Sequence, residues 1–216
     1  MMENFIKTYV INLEKRTERK SHAYIQFLNK KYYLLNFVKA IENVNGAFGL
    51  WQTIVQIIQN SCTKEDDYIL ICEDDHEFTK RYNIQKLLSA IKEAEEKKAD
   101  VLLGGVSWFL DALQISENLF WMDQFTGTQF MIVFKKFYQT IINADFNVGD
   151  TADRKICELT TKKFLIYPFI SVQKEFGYSD ATPFNNKEGY VTEIFENSDM
   201  ILSHIIQANT FYQKNV

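Results

Sequence analysis

The sequence predicts one α/β domain built on a central, mostly parallel sheet with helices on both faces. Three observations carry that expectation. Apolar β-rich runs alternate with segments of helical periodicity, the connections between them are short, and Tyr68 to Cys72 (YILIC) is apolar without alternation, as for a strand covered on both faces. A chain of 216 residues is one ordinary domain in length, and a 46% hydrophobic content suffices for a core, so the whole of 1–216 is read as a single domain.

Lys7 to Leu13 (KTYVINL) is the first strand. It gives way to EKRTERK, where Thr17 is placed to cap a helix running to about Lys30, with Tyr24, Phe27 and Leu28 at helical spacing. Phe37 to Ile41 offers a second strand and completes a βαβ unit. From Gly46 to Thr63 no residue is charged, and Leu50, Ile54, Ile57 and Ile58 fall on one helical face, predicting a helix over about 49–60. Gln52, Gln56 and Gln59 interrupt this stretch, so it reads as a buried helix rather than a bilayer span.

Beyond YILIC, Ile84, Leu87, Leu88, Ile91 and Ala94 form a helical stripe. Residues 100–105, Phe130 to Phe134 and Lys163 to Phe169 supply further strands, the last with Pro168 near its end, which places it at an edge or a terminus. Residues 172–192 hold Gly177, Pro183 and Gly189 and read as a flexible loop able to cover a site. A helix over 193–213 carries Ile201, Leu202, Ile205 and Ile206 on one side, to pack on the core or weakly on a membrane.

With 24 basic against 28 acidic residues the formal charge is −4, which gives no reason to expect a nucleic-acid partner. Cys62, Cys72 and Cys157 form no CxxC pair, and His22, His76 and His204 show no metal-binding spacing, so neither a disulfide framework nor a zinc site is predicted. The apolar run near the N-terminus is short and flanked by charge on both sides, unlike a signal peptide. A cytoplasmic setting is expected, with peripheral attachment to the inner face of a membrane left open.

Chemistry concentrates at two places. Glu73, Asp74 and Asp75 follow the buried YILIC strand directly, and crowded carboxylates at a strand end suit a hard divalent ion, Mn²⁺ or Mg²⁺, held by Glu73 and Asp75. The alternative is a solvated acidic turn that caps the next helix. Arg16 and Arg19 lie three apart on the first helical turn, where arginine forks and the helix's positive end suit a diphosphate. Charged residues also begin many ordinary surface helices. Asp150 and Asp153, in NVGDTADRKICEL, read as helix-capping acids at a turn entering a helix. Trp108 and Trp121 are candidates for the core or for stacking on a ligand.

In order along the chain, VINLEKRTER, ILICEDD, TGTQFMIVFKK and YPFISVQKEFGYSD resemble the motifs of family 25 glycosyltransferases, over roughly residues 6–182. The family includes lipooligosaccharide and procollagen galactosyltransferases. The resemblance implies a GT-A fold with a Rossmann-like sheet, a UDP-hexose donor, a divalent cation, and transfer to a glycan hydroxyl with inversion. It also implies roles. Asn12, Leu13, Arg16 and Arg19 match the nucleotide-binding start, and Glu73, Asp74 and Asp75 match the acidic motif that holds donor ribose and metal-diphosphate. Gly127 and Thr128 match the small-residue entry to the strand facing the donor. Asp153 matches the family's later aspartate, with Asp150 a close competitor for the base, and Gln173 falls on a family glutamine whose role stays open. Thr53 and Ile54 stand where the family usually has Ser-His or Thr-His after the glycine matched by Gly49, and Gln129 replaces a common histidine or tyrosine.

Overall fold

The structure is a computed structural model and describes residues 5–61, 67–178 and 183–214. In chain order the elements are β1 (Ile6–Asn12), α1 (Thr17–Phe27), β2 (Tyr33–Lys39), α2 (Gly46–Ser61), β3 (Tyr68–Glu73), β4 (His76–Phe78) and α3 (Ile84–Glu96). There follow β5 (Val101–Leu103), β6 (Trp108–Phe109), β7 (Ala112–Gln114), β8 (Leu119–Met122), β9 (Phe125–Thr126) and β10 (Phe130–Phe134). The last are α4 (Tyr138–Ile142), α5 (Ala152–Leu159), β11 (Lys163–Ile166), β12 (Ser171–Gln173) and α6 (Tyr190–Lys214).

Eight strands form one sheet in the order β2-β1-β3-β10-β5-β11-β8-β7. β1, β2, β3, β5, β7 and β11 point one way, and β10 and β8 run against them. The sheet is therefore mostly parallel, with β10 inserted antiparallel between β3 and β5. Side-chain alternation divides the core in two. Tyr9, Ile11, Ile69 and Ile71 face one layer with residues of α2, α4, α5 and α6. Val10, Leu70 and Cys72 face the other, with α1 and α3. Helices cover both faces, as the periodicity predicts.

Several boundaries differ from expectation for identifiable reasons. Arg16, not Thr17, holds the N-cap position of α1, and Thr17 is its first residue. Tyr24 and Leu28 point outward, 52% and 47% exposed, because the buried face of α1 carries Arg19, His22, Ala23 and Phe27. α2 starts at Gly46, where the side-chain Oδ1 of Asn45 accepts the amides of Ala47 and Phe48. β11 lies between β5 and β8, so Pro168 marks the strand's terminus and not a sheet edge.

The segment 172–192 is not all loop. Val172 and Gln173 pair with β4, Pro183–Asn186 form a 3-10 turn, and α6 begins at Tyr190, three residues before the predicted start. Glu175 caps α6 by accepting the amides of Gly189 and Thr192, each at 2.8 Å. α6 packs on the core through Val191, Phe195 and Leu202, while Ile201 is exposed. Among the described residues no helix is long and apolar enough to cross a membrane. Cys72 and Cys157 are free thiols, whereas Cys62, Ser179 and Asp180 lie outside the described residues.

Candidate functional site

β1 and β3 are parallel neighbours with Ile11 opposite Glu73, so the first βα turn and the acidic turn emerge side by side. Asn12 joins them. Its side-chain amide donates to Asp74 Oδ2 at 2.8 Å and to the Arg16 carbonyl at 3.1 Å. One turn into α1, Arg19 Nη1 donates to Asp74 Oδ1 at 3.2 Å and to Asp75 Oδ2 at 3.3 Å, with Arg19 and Asp74 both nearly inaccessible. Arg19 Nη2 donates to the Tyr178 carbonyl. The Phe176 and Tyr178 rings lie 4.7 and 4.5 Å from the Arg19 guanidinium carbon, and Tyr178 also stacks under Arg16 at 5.1 Å.

Arg16, Arg19, Asp74 and Asp75 help to line a cavity of about 420 Å³. Its lining combines the charged Arg16, Arg19, Glu73, Asp74 and Asp75 with the apolar Ile11, Leu13, Ala40 and Leu50, and the exposed Lys15 and Glu42 stand at its rim. Burial, followed by the charge of Asp75, pushes the Glu73 carboxyl well above the usual carboxylate range. Burial and Asp74 push Asp75 up in turn, against the opposing pull of Arg19. Asp75 Oδ1 is buried and has no hydrogen-bond partner among the described residues.

The flank beyond Glu73 comes from the approach to β10. Thr128 donates its hydroxyl to Glu73 Oε1 at 2.7 Å, and the Glu73 amide donates to the Gln129 carbonyl at 3.2 Å. Gly127 takes φ +108°, and its amide donates to Asp153 Oδ2 at 3.2 Å. That backbone conformation favours glycine, and a Cβ there would also lie 2.8 Å from Gln129 Oε1 and displace the end of that side chain. Asp153 Oδ1 accepts from the Thr151 hydroxyl and, at 2.8 Å, from the Arg154 amide.

With this geometry fixed, likeness to known folds becomes informative. The fold is GT-A-like. A glycosyltransferase involved in the glycosylation of the major capsid of PBCV-1 superposes with a TM-score of 0.51 at 12% identity, covering 91% of this chain and 99% of that one. UDP-glucose pyrophosphorylase complexed with UDP-glucose gives 0.50 at 8% identity, covering 97% and 81%. A197 from STIV gives 0.50 at 13% identity, covering 82% and 87%. No family model and no curated protein matches the chain.

Within this GT-A-like frame the structure gathers Leu13, Arg16, Arg19, Glu73, Asp74 and Asp75 around one cavity, with Asn12 behind them. Thr128, Gly127 and Asp153 form a bonded chain leading away from Glu73. Asp150 and Gln173 are not brought in. Asp150 pairs with Lys155 at 2.8 Å and accepts the Asn147 amide. Gln173 sits opposite His76 in the β4–β12 ribbon and lines a separate cavity of about 540 Å³ against α6. Trp108 is 41% exposed with the Arg154 guanidinium 4.6 Å from its ring, whereas Trp121 donates to the Thr161 carbonyl at 2.7 Å. Ile54 is buried in the core, so the position where the family has histidine faces away from the cavity.

Sequence reasoning missed Phe176 as a cover for Arg19, and Lys15 and Glu42 as cavity rim. The position of Glu42 just beyond the second strand was the available signal. The segment holding it is fixed from α2. Thr53 Oγ1 accepts the Ile41 amide at 2.9 Å, and a Cβ on Gly49 would meet the Ile41 carbonyl at 2.4 Å.

Proposed function

We propose that this chain is a metal-dependent inverting glycosyltransferase of the family 25 kind, moving galactose or glucose from a UDP-sugar to a hydroxyl of a cell-surface glycan of the lipooligosaccharide type. The observation that carries the reading is the mixed lining of the cavity at the ends of β1 and β3. Apolar side chains suited to a base share it with Arg16 at a helix start and with Glu73 and Asp75.

The donor set suits Mn²⁺ or Mg²⁺. Among the described residues no three His, Cys, Asp or Glu side chains form a metal cluster, so the proposed cation would use one or two carboxylates and complete its shell with substrate phosphate and water. Asp75, with its unpartnered Oδ1, and Glu73 are the residues that would hold it. Bound there, such an ion would neutralise charge developing on the UDP leaving group.

Arg16 faces the diphosphate from the helix start, while Arg19, held between Asp74 and Asp75, positions the acidic turn. Asp153 is the proposed base. It takes the acceptor hydroxyl proton as that oxygen bonds to the anomeric carbon and the anomeric carbon–phosphate oxygen bond breaks, so configuration inverts in one displacement. Asp150, committed to Lys155, is the weaker candidate. A second reading, nucleotide-sugar binding without turnover, is favoured by one observation: Asp153 already accepts from Gly127, Thr151 and Arg154 and does not line the cavity.

Calorimetric titration of UDP with and without Mn²⁺, on the native protein and on Asp75→Ala, tests the reading. Binding that requires Mn²⁺ and is lost in the variant is expected. No UDP binding under either condition would overturn it, and binding without transfer from any UDP-hexose would establish the second reading.

A further inference from the structure

We infer that Glu42, rather than Asp74, is the carboxylate that accepts the ribose hydroxyls of the donor. The inference rests on the UDP-sugar reading above. Asp74 is poorly placed for an incoming ligand: it is 5% exposed, one oxygen accepts from Asn12 and the other from Arg19. It serves as the joint between the first βα turn and the acidic turn.

Glu42 has the opposite properties. Its side chain is 57% exposed at the rim of the same cavity, and its partner is Lys15 at 3.2 Å, itself 64% exposed. An exposed pair of this kind is worth little, so exchanging Lys15 for ligand hydroxyls costs little.

The backbone beneath Glu42 is held in place. β2 runs parallel to β1 with Lys39 opposite Asn12, and the Ala40 amide donates to the Asn12 carbonyl at 2.9 Å, which carries the chain past the strand's end beside the first βα turn. Thr53 then holds Ile41. Ionised carboxylates accept from vicinal hydroxyls, and in doubly wound sheets an acid in the region of the second strand takes the ribose diol. Glu42 lines the same cavity as Arg16 and Asp75, so a nucleotide whose diphosphate is held by those two has the Glu42 carboxylate in the lining open to its ribose.

The test is calorimetric titration of UDP and 2′-deoxy-UDP, with Mn²⁺ present, into the full chain and into Glu42→Gln and Lys15→Met. The unsubstituted protein is expected to prefer UDP by about tenfold or more, the loss of one hydrogen bond to a charged group. Glu42→Gln removes most of that preference by weakening UDP, while Lys15→Met keeps it. A preference unchanged in Glu42→Gln, absent from the unsubstituted protein, or lost equally in Lys15→Met would overturn the assignment while leaving the UDP site standing. Failure of the unsubstituted protein to bind UDP would instead overturn the donor reading and this inference with it.

Discussion

Thr128 donates its hydroxyl to Glu73 Oε1 across 2.7 Å, tying the approach to β10 to the end of β3 and offsetting part of the burial that raises the Glu73 carboxyl. Thr128→Val removes this donor and keeps the shape, so Glu73 rises further and a proton competes harder with a cation for it. Mn²⁺-dependent UDP affinity at pH 7 is expected to fall about tenfold, the scale of a hydrogen bond to a charged group. It should partly recover at pH 9. Calorimetry at the two pH values reads both effects, and equal affinity to the native protein at pH 7 would separate Thr128 from cation binding.

Arg19 bridges two carboxylates that have little water to fall back on. Arg19→Met leaves Asp74 and Asp75 buried without it and is expected to cost about 3–5 kcal/mol in urea denaturation, as when one partner of a buried pair is removed. Much of that cost should return in Arg19→Met combined with Asp74→Asn, since the double variant carries one fewer unpaired charge.

The two candidate bases separate by kinetics. Asp153→Asn is expected to lower turnover by about 10²–10⁴-fold while UDP affinity is retained, the range for loss of a general base. Asp150→Asn, which alters the pair with Lys155 and the bond from the Asn147 amide, away from the cavity, should leave turnover near the native value. Equal losses in both, or none in Asp153→Asn, would move the proton-accepting role elsewhere.

Stability should respond to acid through His76. Burial among Phe27, Phe78 and Phe130 pushes its pKa down to about 3, and its Nδ1 shares a hydrogen with the Ser171 hydroxyl at 2.7 Å. Between about pH 6.5 and that value the unfolded chain binds a proton that the folded chain excludes, so stability is lost as pH falls. The slope reaches about 1.4 kcal/mol per pH unit for this single group. Guanidinium denaturation at pH 4.5, 5.5 and 6.5 should show a slope shallower by about one proton in His76→Gln. Glu73 and Asp75, raised by burial, act in the opposite direction above the normal carboxylate range and are present in both proteins.

Much of this architecture is legible in the residues. β1, β3 and β10 fall where apolar runs mark them, whereas the pairing of Arg19 with Asp74 and Asp75 is not legible, because each motif by itself reads toward a ligand. The direction of β10 is not legible, because FMIVF, buried on both faces, reads the same whichever way it runs. β6, β7 and β9 are two or three residues long, too short for alternation to register. In α1 the helical period is correct and the phase is not, because the polar Arg19 and His22 occupy the inward face that apolarity alone assigns elsewhere. Gln173 was placed by motif, and motif order says nothing about which side of a ribbon a side chain takes.

The antiparallel insertion of β10 bears on how the protein is made. As the chain leaves the ribosome, β1, β2 and β3 can assemble from neighbouring sequence, but the second edge of β3 stays open until Phe130–Phe134 has been synthesised. Nascent chains halted before that point present the YILIC strand, apolar and unpaired, to any other extended chain. Fragments ending before residue 130 should therefore associate with one another, whereas those reaching past β11, which closes the other edge of β5, should not.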